Sequence, residues 1–203
     1  MNVRLQYDIE FLAGIYYDDQ LQMNSYSASL SLVTRTTDTK STNIAMDRLK
    51  AFVYGELEST VFINQNYRER AEMMQIMGAN VTTLPEEPVD QIVGMMLYYK
   101  LNAIMEGRME IVQLDISSRL GDGVWYMHSE DDFAGPFSQD GWWHQSSLQH
   151  DTLEPLDSVV NVVKVAPNAW IEYGLMWPEA ETVPANQTAN TVVFANFSKH
   201  EDR

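Results

Sequence analysis

An α+β fold is predicted for these 203 residues: a long amphipathic hairpin, three helices, a second hairpin and a C-terminal β extension. Three patterns carry that prediction. Apolar residues alternate through the first seventeen positions, recur at helical spacing through the middle of the chain, and flank an Asp-Gly pair further on.

Val3, Leu5, Tyr7, Ile9, Phe11, Ala13, Ile15 and Tyr17 occupy every second position, with Asn2, Arg4, Gln6, Asp8 and Glu10 among the residues between. Period two over this length means a strand with one buried face. A polar stretch at Asp18, Asp19 and Gln20, closed by Asn24 and Ser25, leads to a second alternation. There Tyr26, Ala28, Leu30 and Leu32 are separated by Ser27, Ser29 and Ser31. The pair reads as an antiparallel hairpin.

Thr36 to Thr42 is rich in hydroxyl groups suited to capping a helix. Ile44, Ala45, Leu49, Phe52, Val53 and Leu57 then follow at helical spacing, with Asp47, Arg48, Lys50 and Glu56 elsewhere around the wheel. A shorter helix runs from Tyr67 through Ala71 and Met74, and Gly78 stops it. Pro88 suits the first turn of a third helix, whose positive end Glu86, Glu87 and Asp90 complement. Val89, Ile92, Val93, Met96, Leu97 and Ile104 form its buried stripe, and Gly107 ends it. Ile111 to Ser117 and Val124 to His128 are the strands of the second hairpin, joined through Leu120-Gly121-Asp122-Gly123.

Residues 129–157 lose this rhythm: they hold seven acids, no Lys or Arg, and the run Gly141-Trp142-Trp143-His144. A long aperiodic stretch of this kind is a functional or a mobile loop. Val159 to Val165, Trp170 to Trp177 and Thr191 to Phe197 read as three further strands. The chain therefore divides into a domain at 1–128, an acidic aromatic loop at 129–157 and the β extension at 158–203.

Acids outnumber bases by 29 to 13, a net charge of −16 that repels phosphate backbones and argues against nucleic acid as a partner. With no cysteine there is no disulfide framework, thiolate metal site or thiol nucleophile. The N-terminus carries charges where a signal peptide needs an apolar run, and no stretch approaches the roughly eighteen apolar residues of a membrane span. The expectation is a cytoplasmic protein without a membrane segment.

Met46-Asp47-Arg48-Leu49-Lys50, with Leu57 and Phe62-Ile63-Asn64, is similar to the first helix and its exit in the 6-pyruvoyl- and 6-carboxytetrahydropterin synthases. Pro85-Glu86-Glu87-Pro88-Val89-Asp90 sits where that family enters its next helix, near an acid that anchors the pterin, and Ile111 to Asp115 resembles the strand that follows. The resemblance covers residues 1–128 and implies a T-fold, assembled as a ring by pairing sheets into a shared barrel. The departures are as informative. The family holds zinc through histidines on its first two strands, whereas no histidine precedes His128, and its catalytic cysteine has no counterpart. Its Asp-His pair falls near Ser59 and Thr60, which do no acid–base work near neutral pH. The resemblance is thus to a degenerate member, without cofactor, metal or catalytic residues.

Asp90 and Glu87 remain candidate ligand anchors, against a plainer role for Asp90 as a helix N-terminal carboxylate. His128, His144 and His150, with Asp140 and Asp151, match no zinc spacing, and Glu130-Asp131-Asp132 lacks the alternation of a calcium loop. Trp142, Trp143 and His144 are candidate partner-binding residues, with docking onto the chain's own core as the alternative.

The leading expectation is a non-catalytic binding or assembly protein, self-associating through sheet edges and open to a protein partner. Composition and style also resemble uncharacterised proteins of large tailed bacteriophages, which implies a virion component or a protein that engages a host factor in the host cytoplasm. The alternatives are a divergent pterin- or purine-handling enzyme using Glu10, Asp90 and Asp115 between subunits, and an acidic inhibitor that mimics nucleic acid.

Overall fold

A computed structural model describes residues 3–148 and 169–178. β1 (Arg4–Tyr17) and β2 (Gln20–Thr34) form the expected hairpin, in register from Arg4 opposite Val33 to Tyr17 opposite Gln20. The connection is tighter than the polar stretch suggests. Asp18 and Asp19 both take left-handed backbone angles, φ 50° and 56°, and Tyr16 Oη donates to Asp19 Oδ1 at 2.8 Å. Two such residues close a hairpin whose twist matches its strands, so β2 begins six residues before Tyr26.

α1 (Thr39–Ala51) is capped by a carboxylate, not one of the neighbouring hydroxyls: Asp38 accepts from the backbone N–H groups of Lys40 and Ser41 at 3.1 and 2.9 Å. These bonds hold its pKa below the usual carboxylate range, the hydroxyl and N–H of Ser41 foremost. The helix runs on into a π-helical segment, Phe52–Leu57, and then into β3 (Val61–Asn64). α2 (Arg68–Ile76), β4 (Val81–Leu84), α3 (Asp90–Met105), β5 (Met109–Ser118) and β6 (Tyr126–Ser129) follow.

The sheet order is β4-β3-β1-β2-β5-β6. β1, β2, β5 and β6 are successively antiparallel, and β3 and β4 add in parallel beyond β1. The fold class is thus α+β, with the T-fold-like succession of long hairpin, helices and second hairpin. β3 and β4 were not expected as strands. Each has four residues, all buried, and a short run buried on both faces carries no alternation to read.

Ile9, Phe11, Ala28, Leu30, Leu114 and Ile116 turn one sheet face toward α1 and α3. The opposite face carries Asp8, Glu10, Ser27, Ser29 and Asp115 in register across three strands. Gly94 lets α3 approach this closely: a Cβ there would lie 2.6 Å from Ile116 Cγ2 and 2.9 Å from His128 Cδ2.

Several side chains depart from the sequence pattern. Val3, Leu5 and Val89 are exposed, and Pro88 precedes the cap of α3 rather than opening its first turn. Arg48, assigned to the outer side of the wheel, is buried at 1% exposure.

Trp170 to Trp177 is not a strand. α4 (Ala169–Glu172) is followed by Gly174 at φ 67° and an irregular return. Residues seven apart in a strand face opposite sides, but both indoles lie on one guanidinium: Arg48 Cζ is 4.6 Å from the Trp170 ring centroid and 3.9 Å from that of Trp177. A helical turn reversed by a left-handed glycine puts them on the same side. The strands expected at Val159–Val165 and Thr191–Phe197 lie outside the described residues, as do residues 149–157 of the loop.

Candidate functional site

The N-terminus of α3 packs against polar residues of β2, β3 and β5. Asp90, the first residue of α3, accepts from Ser118 Oγ at 2.8 Å through Oδ1, while its Oδ2 is buried and without a hydrogen-bond partner. Glu87 accepts from Asn64 Nδ2 at 3.1 Å through Oε1, and its Oε2 is likewise buried and unpartnered. Tyr26, from β2, brings a third orphan, its hydroxyl. Burial pushes the Tyr26 phenol well above its ordinary pKa; the Asn24 side chain opposes the rise, and the Asp90 charge adds a smaller increment to it. Asn24 spends its Oδ1 on the N–H of Leu120, which ties the 119–123 turn to β2, and a Cβ on Gly121 would come within 2.3 Å of Asp90 Oδ2. A carboxylate oxygen buried without a donor is costly.

Glu10 and Asp115 do not join Asp90. They lie on the open sheet face, where Asp115 accepts from Gln113 Nε2 at 2.8 Å. Glu10 lines a cleft of about 300 Å³ with Leu12, Ser25, Ser27 and Glu58. Beside it the π-helical segment ends at Leu57, and Ser59, two residues on, has φ 66°. Thr60 is fully buried and bonded to Thr82 at 2.9 Å. The cleft thus offers carboxylates and hydroxyls, and among the described residues no three His, Cys, Asp or Glu groups gather as metal ligands.

Trp142 and Trp143 are each only 7% exposed. Trp142 Nε1 donates to Thr83 O at 3.1 Å, and Trp143 Nε1 shares Phe137 O and Gln139 O at 3.3 and 3.2 Å. Both rings are covered by the chain itself, as in the self-docking alternative, because a buried indole needs an apolar wall and an acceptor and α3 with its neighbours supplies both. His144 is exposed, with Nε2 2.8 Å from Phe137 O. Sequence reasoning gave no role to the residue that fastens this segment. Lys100 of α3 is fully buried and donates to the carbonyls of Trp142, Gln145 and Ser147 at 3.1, 2.8 and 2.8 Å.

His128, also buried, has its pKa lowered by burial, opposed by Asp132 and by a backbone bond at Gln91. A depressed imidazole contributes stability that is present above the ordinary value of 6.5 and lost as pH falls through the folded-state value. The expected outcome is that the Tm advantage of the native chain over His128→Gln shrinks as pH falls below 6.5. Parallel Tm–pH curves for the two proteins would refute this.

No family model matches the chain, and no curated protein does. Among solved structures it is similar to an uncharacterized protein from Wolinella succinogenes, at 9% identity and TM-score 0.47, over 64% of this chain and 99% of that one. It is similar also to 6-pyruvoyl tetrahydropterin synthase from Plasmodium vivax, at 9% identity and TM-score 0.42, over 63% and 97%. The Plasmodium falciparum 6-pyruvoyl tetrahydropterin synthase shares 13% identity at TM-score 0.40, over 63% and 96%. Among the described residues no helix is long and apolar enough to cross a membrane.

Proposed function

We propose that the chain is a non-catalytic, self-associating binding protein of the T-fold kind that anchors a planar, N–H-rich heterocycle, a pterin or a purine, on Asp90 and Glu87. The observation that carries this is the pair of buried, unpartnered oxygens, Asp90 Oδ2 and Glu87 Oε2. A ring N–H and an exocyclic amine are the kind of donors that such free carboxylate oxygens accept, one on each. The 119–123 turn closes over Asp90, so ligand entry requires that turn to shift.

Two open edges support self-association. β1 pairs with β3 only over Gly14–Tyr16, and β6 ends the sheet with Met127 and, just before it, Trp125 exposed at 69% and 52%.

Thermal shift with a pterin and purine panel, together with native mass spectrometry, tests both parts. A retained or added heterocycle is expected to raise Tm, and Asp90→Asn to weaken its binding about 10- to 100-fold, the worth of one charged hydrogen bond. A panel without any shift and a protein without bound small molecules would end the ligand reading. A monomeric mass would end the assembly reading.

A divergent enzyme is the second reading. The π-helical segment and the left-handed Ser59 beside the Glu10–Glu58 cleft favour it, since such irregularities recur at functional sites. Product formation from any member of the panel would replace the non-catalytic reading with this one. A place in a virion, or at a host factor, rests on compositional resemblance and is tested by affinity capture from infected cells.

A further inference from the structure

Residues of α3, β6 and the segment 132–136 border a cleft of about 310 Å³. We infer that this cleft binds an alkylammonium group, a primary amine carried on an apolar stem. The site is separate from Asp90 and Glu87 and does not rest on the heterocycle proposed above.

The walls select the stem. Ile92 and Met95 come from α3, Met127 from β6, and Phe133 from the segment that follows. Phe133 is 88% exposed and Met127 69%; no other large apolar side chain among the described residues is as exposed as Phe133. An apolar stem lying against both removes their surface from water. The Phe133 ring also offers its face to a cation. The volume stands at the lower end of small-molecule pockets, so the occupant is small.

Charge selects the head group. Asp132 is the one charged residue on the lining. Its Oδ2 accepts from the N–H and the hydroxyl of Ser129 at 2.6 and 3.0 Å, and Oδ1 takes no hydrogen bond among the described residues. With a single oxygen open, the compact charge of an ammonium fits better than the two-pronged fork of a guanidinium. His128 also lines the cleft; its Nε2 is buried without a partner, and burial keeps the ring neutral near pH 7. No Lys or Arg occurs from residue 120 to 148, nor in α3 before Lys100. The positive end of α3 would favour an anion, but Asp90 in its first turn offsets that. A carboxylate ligand would face Asp132 with no cation to receive it. An ammonium meets a free acceptor, an aromatic face and a neutral ring.

Methionine methyl groups labelled with carbon-13 put reporters in the wall itself, since Met95 and Met127 both line it. When the full-length protein is titrated at pH 7 with pentylammonium chloride, these two methyl resonances are expected to shift together and saturate. Asp132→Asn keeps an oxygen for Ser129 but loses the charge, and should weaken binding about 10-fold or more. Glu130→Gln, nearby in sequence but not on the lining, should leave the affinity unchanged. Pentanol should bind no better than pentylammonium binds to Asp132→Asn, and pentanoate should move neither methyl. The site is overturned if pentanol binds as well as the amine, or if neither methyl saturates. It is overturned equally if the shifts spread over all twelve methionines and ignore Asp132→Asn, because a chain of net charge −16 gathers cations unspecifically. Nα-acetyl-lysine methylamide separates the two sources of the group. Binding as tight as pentylammonium assigns the cleft to a lysine side chain of a protein partner, and weaker binding assigns it to a free amine.

Discussion

Replacing Arg48 by methionine is expected to lower the free energy of unfolding by about 3 kcal/mol, at the low end for a broken buried ion pair because Glu106 keeps some contact with solvent. The Arg48 side chain is 2% exposed and that of Glu106 34%. Methionine fills much of the aliphatic volume but removes the donors to Glu106 Oε1 at 2.9 Å, Leu175 O at 2.8 Å and Ile104 O at 3.3 Å. It also strips both indoles of the cation they flank. The Leu175 bond and both indoles belong to residues 169–178, so the tryptophan emission there should shift to the red and the amides should exchange faster than those of β1 and β2. Urea denaturation measures the loss of stability, and tryptophan emission with hydrogen exchange measures the local loosening. A loss under about 1 kcal/mol, a value typical of exposed pairs, would mean that Arg48 is solvated.

Lys100→Met is expected to cost about 2–3 kcal/mol, since three carbonyls lose their ammonium donor while the penalty of burying a charge is relieved. The disturbance should be local. Hydrogen exchange and near-ultraviolet dichroism of Trp142 and Trp143 should report loosening of residues 142–148 with the sheet intact. The pH dependence gives a second signature. Burial pushes the Lys100 amine down to about 7, with the Glu56 charge opposing. Between that value and the ordinary 10.5 the unfolded chain binds the proton more tightly. The stability this group contributes is therefore full above 10.5 and lost as pH falls through about 7. The native chain should gain on Lys100→Met as pH rises through that window. A constant difference would show an ammonium held charged by its three carbonyls.

Both residues mark the limit of what the sequence discloses. Alternation placed β1 and the later part of β2 correctly, and helical spacing located α1, α2 and α3, because each pattern records which side of a local backbone meets apolar matter. The same rule put Arg48 among the solvated residues and drew no attention to Lys100. The candidate site was half legible. Asp90 and Glu87 stand at the entrance to α3 as their proline-flanked run suggested, and the structure sets Asp90 beside Ser118 and Tyr26 and Glu87 beside Asn64. The tryptophan pair was legible as something that must dock, but its wall was not.

By itself the sequence determined the α+β class, the hairpin–helices–hairpin order and the absence of thiol chemistry, since these follow from periodicity and composition along short stretches. Only the tertiary structure decided which charged groups lie inside, that two four-residue runs become parallel strands, and that residues 169–178 form a strap rather than a strand. The reason is distance along the chain. Arg48 is buried because Leu175, 127 residues away, accepts a hydrogen bond from it, and no local pattern carries the address of so remote a partner.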